Sequence, residues 1–236
     1  MNNTFEPGTS VSGTCSHNRL SAGAIVTRFV ALLFAGALCV ALPGCSFLKP
    51  AQSTARYFVL TPMPATGPGP AASDSLALGL GQVKLPAYLL NTSLAISKGT
   101  NEIEYLPSAL WAERLDTGFQ RVLAANLAVV LPTEQVRMSA WQSDDVAAEV
   151  YVTLEQFDVD ASGRGMLVAQ WRILSPGGEK ILKAGGSRFV REGPSPHASA
   201  SGAVATLSEL VADLSRQLAQ ALKEMPLASR NNPSQP

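Results

Sequence analysis

The sequence has few of the side chains on which most enzymes rely for chemistry. It contains three cysteines and two histidines, and 18 lysines and arginines balance 18 aspartates and glutamates. Without a basic excess, the chain lacks the electrostatic signature of a nucleic-acid-binding protein. A zinc site needs three or four ligands, usually His or Cys, and His197 is the only histidine after residue 44. The composition therefore predicts neither a nucleic-acid partner nor a metal or other cofactor.

The longest apolar stretch lies near the N-terminus. Phe29–Leu42 is uncharged, and Arg28 supplies a positive charge directly before it. Its 14 residues are fewer than the roughly 20 that a membrane-spanning helix needs. A short apolar core behind a positive residue is typical of a secretory signal, with an N-terminal anchor helix as the alternative.

Leu42-Pro43-Gly44-Cys45 ends this apolar core and predicts the type of signal. Lipoprotein signals have a branched apolar residue three positions before a cysteine and a small residue directly before it. Leu42 and Gly44 fit, although Pro43 stands where Ala or Ser is usual. Gly44 leaves the backbone open to the processing peptidase because it has no side chain. We expect cleavage before Cys45 and stable anchoring through acyl chains on its thiol; an ordinary signal peptide with a chance cysteine is the alternative.

Cleavage there divides the chain into four predicted parts: a lipoprotein signal peptide (1–44), a lipidated spacer (45–56), one folded domain (57–226) and a disordered tail (227–236). The mature chain of 192 residues carries 16 basic and 17 acidic side chains and is long enough for one domain with its own core. Cys45 is its one cysteine, so the exported domain folds without a disulfide. Ser46, where inner-membrane lipoproteins have Asp, favours the periplasmic face of the outer membrane of a Gram-negative type bacterium.

Hydrophobic periodicity predicts strands and helices in the folded domain. Alternation between turn residues predicts strands at 57–60, 76–85, 94–97, 103–105, 135–138, 150–157, 166–174 and 181–190, the last three forming an antiparallel meander. Apolar residues three or four apart predict helices at 108–130, with Ser108 as its N-cap, and at 199–225. The predicted fold is α/β: a mixed β-sheet with an antiparallel meander, covered by two main helices in a three-layer-like single domain.

Two glycines interrupt the second predicted strand. Gly79 and Gly81 predict a bulge or a close backbone approach. A phosphate-binding loop would need a third glycine and a Lys-Ser/Thr pair, which the sequence lacks there. Gln156 marks a possible irregularity in the first strand of the meander.

Candidate catalytic residues are sparse. His197 has Ser195 and Ser199 nearby, but no Gly-x-Ser-x-Gly elbow occurs, so a solvated loop histidine is favoured over a serine hydrolase. Asp158 and Asp160 point to the same side of a strand and are candidate acid–base residues, although a solvated edge face is the favoured interpretation. Asp144-Asp145 lies in a predicted loop without a spacing that forces a pair. The sequence gives no warrant for catalysis.

Several segments resemble a known family: Tyr57–Leu60, Val83–Leu89 (VKLPAYL), Trp111–Leu115 (WAERL) with Phe119 and Leu123, Tyr151–Phe157 (YVTLEQF) and the strand around Trp171. In this order, behind a lipidation motif, they resemble the PqiC-type, ABC-transport auxiliary lipoproteins. The likeness runs from about Tyr57 to Leu222. Arg114 departs from the pattern, since many members are expected to have Pro at that position.

The resemblance implies a non-catalytic subunit of an envelope-spanning MCE/ABC-type system that moves lipids between membranes. Such a lipoprotein would hold an MCE-domain protein at the outer membrane and would assemble as a homo-oligomeric ring. The loop before Ser108 and the segment Leu85-Pro86-Ala87-Tyr88-Leu89 are the candidate partner-binding surfaces. The alternative function is a periplasmic lipid-binding carrier, in which the sheet and helices enclose a pocket for acyl chains.

Overall fold

The computed structural model describes residues 54–65, 77–131, 135–139 and 141–225. They form eight strands: β1 (Arg56–Phe58), β2 (Ala77–Leu80), β3 (Ser93–Ser97), β4 (Ile103–Trp111), β5 (Val136–Arg137), β6 (Val146–Asp160), β7 (Gly165–Leu174) and β8 (Ile181–Arg191). They also form the helices α1 (Leu115–Val130) and α2 (Ala200–Lys223), and 3-10 turns at Ala87–Leu90 and Ser143–Asp145. No helix within these ranges is long and apolar enough to cross a membrane. The predicted signal peptide with Leu42, Gly44 and Cys45, and the predicted tail 227–236, lie outside the described residues.

All eight strands belong to one mixed sheet, built around β6. β6 pairs with β7 in antiparallel fashion, and with β2 and β3 in parallel. β8 continues the meander beside β7, while β3 and β4 form an antiparallel hairpin. β1 and β5 extend the sheet through parallel pairing with β4 and β2. The predicted α/β class, mixed sheet and meander are confirmed, and the register shift between Leu154 and Gln156 is the irregularity predicted in β6.

One face of the sheet carries the core. Alternate side chains of β6 and β7 are buried against the helices: Val150, Val152, Leu154, Leu167, Ala169 and Ile173. On α1, Phe119 meets Phe157 of β6 edge to face, with ring centroids 5.1 Å apart. Both helices belong to this one core and pack against each other. The intervening residues of β6 and β7, such as Thr153 and Arg172, are exposed on the other face.

The first helix begins later than its periodicity predicts. Ser108 and Trp111 lie in β4, and α1 begins at Leu115. The prediction of Ser108 as N-cap is wrong because parallel pairing with β1 holds residues 109–111 extended. Pro107 lies where the β3–β4 register shifts, a position at which a strand tolerates proline. The apolar spacing that included Trp111 thus ran across a strand–helix boundary.

The second helix matches its prediction closely. Ser199 is the N-cap, and its hydroxyl accepts a hydrogen bond from the Gly202 N–H at 3.1 Å. Such a cap stabilises a helix by about 1 kcal/mol. The predicted apolar stripe is buried at Val204, Leu207, Val211, Leu214, Leu218 and Leu222.

Candidate functional site

The predicted partner-binding segment, residues 85–89, leads into the 3-10 turn Ala87–Leu90. Leu89 is buried in the core and fixes the turn to the domain. Ala87 and Leu90 are exposed, and Leu90 retains 45% of its surface accessible. Leu85, Pro86 and Tyr88 are partly buried. The turn therefore presents a small apolar surface on a fixed backbone.

Tyr88 ties this turn to the sheet. Its carbonyl oxygen accepts a hydrogen bond from the Tyr105 hydroxyl at 3.0 Å, and its own hydroxyl donates to Asp158 Oδ2 at 2.9 Å. Gln156 Nε2 donates to the other Asp158 oxygen at 3.0 Å. Asp158 is only 3% exposed, so the solvated edge face favoured from the sequence is wrong for this residue, because the turn covers it. Burial, partly offset by the bonds from Gln156 and Tyr88, raises the pKa of Asp158, and burial together with the Asp158 charge raises the pKa of Tyr88.

Asp160 performs a different task from Asp158. Its Oδ1 accepts hydrogen bonds from the backbone N–H groups of Ser162 at 2.8 Å, Gly163 at 3.1 Å and Arg164 at 3.1 Å. Burial alone would raise the pKa of Asp160, but the bonds from Ser162 and these N–H groups outweigh it and lower that pKa. Asp160 thus holds the β6–β7 turn, and the two aspartates have separate partners.

The opposite pKa shifts of Asp158 and Asp160 predict opposite effects of pH on stability. A raised pKa in the folded state gives stability that is present below the unfolded pKa and is lost as pH rises through the folded pKa. Relative to the wild type, an Asp158→Asn variant should therefore gain stability as the pH is raised from the unfolded pKa of Asp158 to its folded pKa. We expect this in urea unfolding curves measured over a pH series from about 2 to 8.

Asp160→Asn is the matched control for that experiment. In the wild type, the lowered pKa of Asp160 gives stability that is present above the unfolded pKa and is lost as pH falls through the folded pKa. Relative to the wild type, this variant should lose stability as the pH is raised. Identical pH profiles for the two variants would contradict the burial assigned to Asp158.

The serine–histidine pair considered from the sequence is not brought together. Ser195 Oγ donates to the Ala161 carbonyl at 2.8 Å, and Ser199 caps α2. His197 Nε2 lies 3.7 Å from Glu104 Oε2, and the histidine side chain is 46% exposed. The three residues therefore have structural partners of their own, and His197 lies in a loop as predicted.

Of the aspartates 144 and 145, Asp145 has a structural role. Both residues lie in the 3-10 turn Ser143–Asp145, and Asp145 Oδ2 accepts from Arg137 at 3.1 Å and from the Gln142 N–H at 3.2 Å. Within 54–65, 77–131, 135–139 and 141–225, no three His, Cys, Asp or Glu side chains form a candidate metal site.

A polar cluster that the sequence interpretation missed lies on the sheet face away from the helices. Glu149 of β6 is 5% exposed. Its Oε1 accepts from Trp141 Nε1 at 3.1 Å and from the Gly177 N–H at 3.0 Å, while its Oε2 accepts from the Tyr151 hydroxyl at 2.9 Å. Burial and the bond to Glu149 raise the pKa of Tyr151, which keeps its hydroxyl protonated as a donor.

Two glycines make room for the rings of this cluster. A Cβ atom at Gly79 would lie 2.8 Å from Trp141 Cε2, and one at Gly81 would overlap the Tyr151 ring. The predicted close backbone approach at these glycines is confirmed. These two glycines are the feature of the sequence from which the cluster could have been predicted. The alternation of β6 places residues 149 and 151 on the face opposite the core, and a glycine on a neighbouring strand leaves room for large side chains there.

Two cavities adjoin the cluster. One of about 600 Å³ is lined by Trp141, Glu149, Tyr151, Gly177, Met138 and Gln142, among others. The second, of about 430 Å³, is lined by Tyr151, Thr153, Gln170, Arg172, Ala184 and Gly186, among others. Tyr151 lies in the wall of both, so the cavities are neighbours on one sheet face.

Comparison with known proteins identifies the family. Residues 58–219 match the family of the ABC-type transport auxiliary lipoprotein component. No curated protein sequence matches the chain. Among solved structures, an uncharacterized protein is 21% identical with a TM-score of 0.57, and the match covers 70% of this chain and 97% of that protein's chain. Protein XCC0632 from Xanthomonas campestris is 12% identical with a TM-score of 0.58, covering 72% and 98%.

At these identities the two structures show a shared fold alone. The family match carries more weight because it spans more than half of the chain and contains all of α1 and most of α2. It also confirms the predicted resemblance to PqiC-type auxiliary lipoproteins. The chain belongs to the family of ABC-type transport auxiliary lipoprotein components.

Proposed function

We propose that this protein is the outer-membrane-anchored, non-catalytic adaptor of an MCE/ABC-type intermembrane lipid transport system. The observation that carries the proposal is the match of residues 58–219 to the transport auxiliary lipoprotein family. Acylation of Cys45 supplies the anchor on the periplasmic face of the outer membrane. The partner is an MCE-domain protein of the same system, and copies of the chain form a ring around its end.

The arrangement of polar residues supports a non-catalytic role. The candidate acid–base and nucleophilic residues considered from the sequence each have a structural task. Asp160 and Ser199 hold a turn and a helix end, Ser195 bonds a loop carbonyl, and Asp158 fixes the partner-binding segment. These side chains therefore form hydrogen bonds that stabilise the fold.

The packing of the core is relevant to the alternative function, a lipid-binding carrier. The carrier requires a pocket for acyl chains between the sheet and the helices, but Phe119, Phe157 and Leu207 fill that space with at most 1% of their surface exposed. The adaptor needs no such pocket. Mass spectrometry of the purified protein tests the alternative: diacyl lipid retained through purification in stoichiometric amount would favour the carrier.

Charge placed on the exposed turn should disrupt partner binding. In the proposed complex, Ala87→Glu puts a carboxylate into an apolar contact, where desolvation makes it unfavourable. Because Ala87 is exposed, the fold should tolerate the change. We expect at least about tenfold less MCE-domain protein to be recovered with this variant from native membranes.

Ala205→Glu is the matched control, since it places the same charge on an exposed position of α2. It should recover the MCE-domain protein as the wild type does. Recovery of no envelope partner by the wild type would contradict the adaptor function. Equal recovery by both variants would instead move the contact away from the 85–89 segment.

A further inference from the structure

We propose that the sheet face away from the helices binds an alkylammonium group carried on a phosphate, the chemistry of phosphoethanolamine. Glu149, Trp141 and Tyr151 receive the ammonium, and Arg172 receives the phosphate. The chemistry is common to ethanolamine phospholipid headgroups and to the free compound. Its assignment to a transported lipid rests on the proposed function, whereas the binding site itself does not.

The first observation is a buried carboxylate without a cation. Glu149 is 95% buried, and its three hydrogen-bond donors (an indole, a phenol and a backbone amide) are all neutral. Within the described part of the chain, no Lys, Arg or His nitrogen lies within 4.0 Å of it. A buried charge in proteins is normally compensated by a partner of opposite sign. A carboxylate has about four acceptor positions, so one remains for a ligand that brings the missing charge.

The second observation is the pair of aromatic side chains around this carboxylate. Trp141 and Tyr151 line the cavity of about 600 Å³ that Glu149 also lines. Their rings are held in place by close packing on Gly79 and Gly81. Aromatic rings attract organic ammonium groups through their negative faces, whereas hard metal cations require several oxygen ligands. The surroundings therefore suit an alkylammonium ion.

The third observation is a cation beside Tyr151 that can bind an anionic second group. Arg172 of β7 lies directly opposite Tyr151 of β6, and residues opposite each other in a sheet have Cβ atoms about 5 Å apart. Arg172 is exposed and, among the described residues, has no ion-pair partner within 4.0 Å. Its guanidinium group can bind phosphate through two parallel hydrogen bonds.

The second cavity has room for that phosphate. Arg172 lines the cavity of about 430 Å³ together with Thr153 and Gln170, which add polar groups, and Ala184 and Gly186, which are small. Because Tyr151 lines both cavities, a negative subsite and a positive subsite lie side by side. A small zwitterion carries the two charges that complement these subsites, and an ion of a single sign does not.

The test is a titration of the lipidated full-length protein in uncharged dodecyl maltoside micelles with phosphoethanolamine. The chain has three tryptophans. Trp141 lines the proposed ammonium subsite and Trp171 lines the cavity of the proposed phosphate subsite, so the indole N–H nuclear magnetic resonance signal of Trp141 reports occupancy of the ammonium subsite. The Trp141→Phe variant identifies that signal by its loss. We expect the Trp141 signal to shift saturably while the signal of Trp111, which lines neither cavity, stays in place. A Trp141 signal that does not move would overturn the proposal.

Glu149→Gln tests the ammonium subsite. Glutamine keeps an oxygen that accepts from Trp141 and the Gly177 N–H but carries no charge, so phosphoethanolamine should bind at least about tenfold more weakly. Glu155→Gln is the matched control, because it removes the same charge from an exposed position on the same strand. It should bind as the wild type does. Equal affinity of Glu149→Gln and the wild type would overturn the proposal.

Arg172→Gln tests the phosphate subsite without touching the buried cluster. Because Arg172 is exposed, the fold should be unaffected even if Glu149→Gln proves unstable. This variant should weaken binding of phosphoethanolamine and leave binding of ethanolamine unchanged. Loss of both ligands, or of neither, would contradict the proposed division of roles.

Phosphatidylethanolamine added to the micelles separates the two sources of the headgroup. A shift of the Trp141 signal by this lipid assigns the site to a membrane lipid. A shift by free phosphoethanolamine alone supports the binding chemistry and excludes the lipid. Recovery of the MCE-domain protein is scored independently, so failure of the site and failure of the adaptor function give different results.

Discussion

Replacing Phe119 by alanine is expected to lower the free energy of unfolding by about 3–5 kcal/mol. Phe119 has no exposed surface and lies between α1 and β6, where its ring contacts Phe157 edge to face at 5.1 Å. The close-packed sheet and second helix leave the surroundings little freedom to fill the cavity. Urea unfolding of the full-length protein, followed by circular dichroism, measures the loss.

Val129→Ala is the control for this variant. Val129 lies on the same helix but is 37% exposed, so its truncation should cost well under about 1 kcal/mol. A double-mutant cycle with Phe157→Ala should also show coupling of about 0.5–1.5 kcal/mol from the ring pair. A loss below about 1 kcal/mol for Phe119→Ala would contradict the position of α1 against the sheet.

The elements predicted best are those whose periodicity and boundary signals agree. The helix from Ala200 to Lys223 has an unbroken apolar stripe, and that stripe is buried in the structure. The β7–β8 turn contains Pro176 and Gly177, and Gly177 has a φ of 82° that favours glycine. The signals that predict these elements lie within the segments themselves.

The errors arise where distant residues decide the local structure. The chain at 108–111 has apolar spacing compatible with a helix, but pairing with β1, some 50 residues earlier in sequence, holds it in β4. Asp158 alternates like an exposed edge residue, but Tyr88 from another segment covers it. No pattern within the strand itself contains that information.

The same limit explains why the Glu149 cluster was missed. Trp141, Glu149 and Gly177 come from three segments and meet only through the sheet register. The sequence did indicate unusual packing at Gly79 and Gly81, but not which rings fill the space. The parallel register places Gly79 opposite Glu149, whose carboxylate binds Trp141 and Tyr151, and register depends on the whole fold.

Cys45→Ser is expected to remove the membrane anchor. Each buried methylene of an acyl chain contributes about 0.8 kcal/mol, so two or three chains bind a membrane stably and their loss releases the protein. Incorporation of radiolabelled palmitate should fall to background, while Cys39→Ser, a cysteine change within the apolar core of the signal, should be labelled like the wild type.

The Cys45→Ser change also removes the predicted cleavage position, so the apolar core stays attached to that variant. A second variant therefore joins Cys45→Ser to a cleavable signal that carries no lipidation motif. We expect it in the soluble periplasmic fraction, with at least about a tenfold smaller share in the outer membrane. A protein of this kind that still sediments with the outer membrane would contradict anchoring through Cys45.

Release from the membrane and loss of the partner should be separable. If Cys45 supplies only the anchor, the released variant should still bind the MCE-domain protein after solubilisation, although the complex no longer sediments with the outer membrane. Ala87→Glu should do the reverse: it remains lipidated and membrane-bound but loses the partner. Only a protein that joins a membrane anchor to an independent docking surface gives this reciprocal pair of results. If the released variant also failed to bind, the membrane itself would be part of the docking surface.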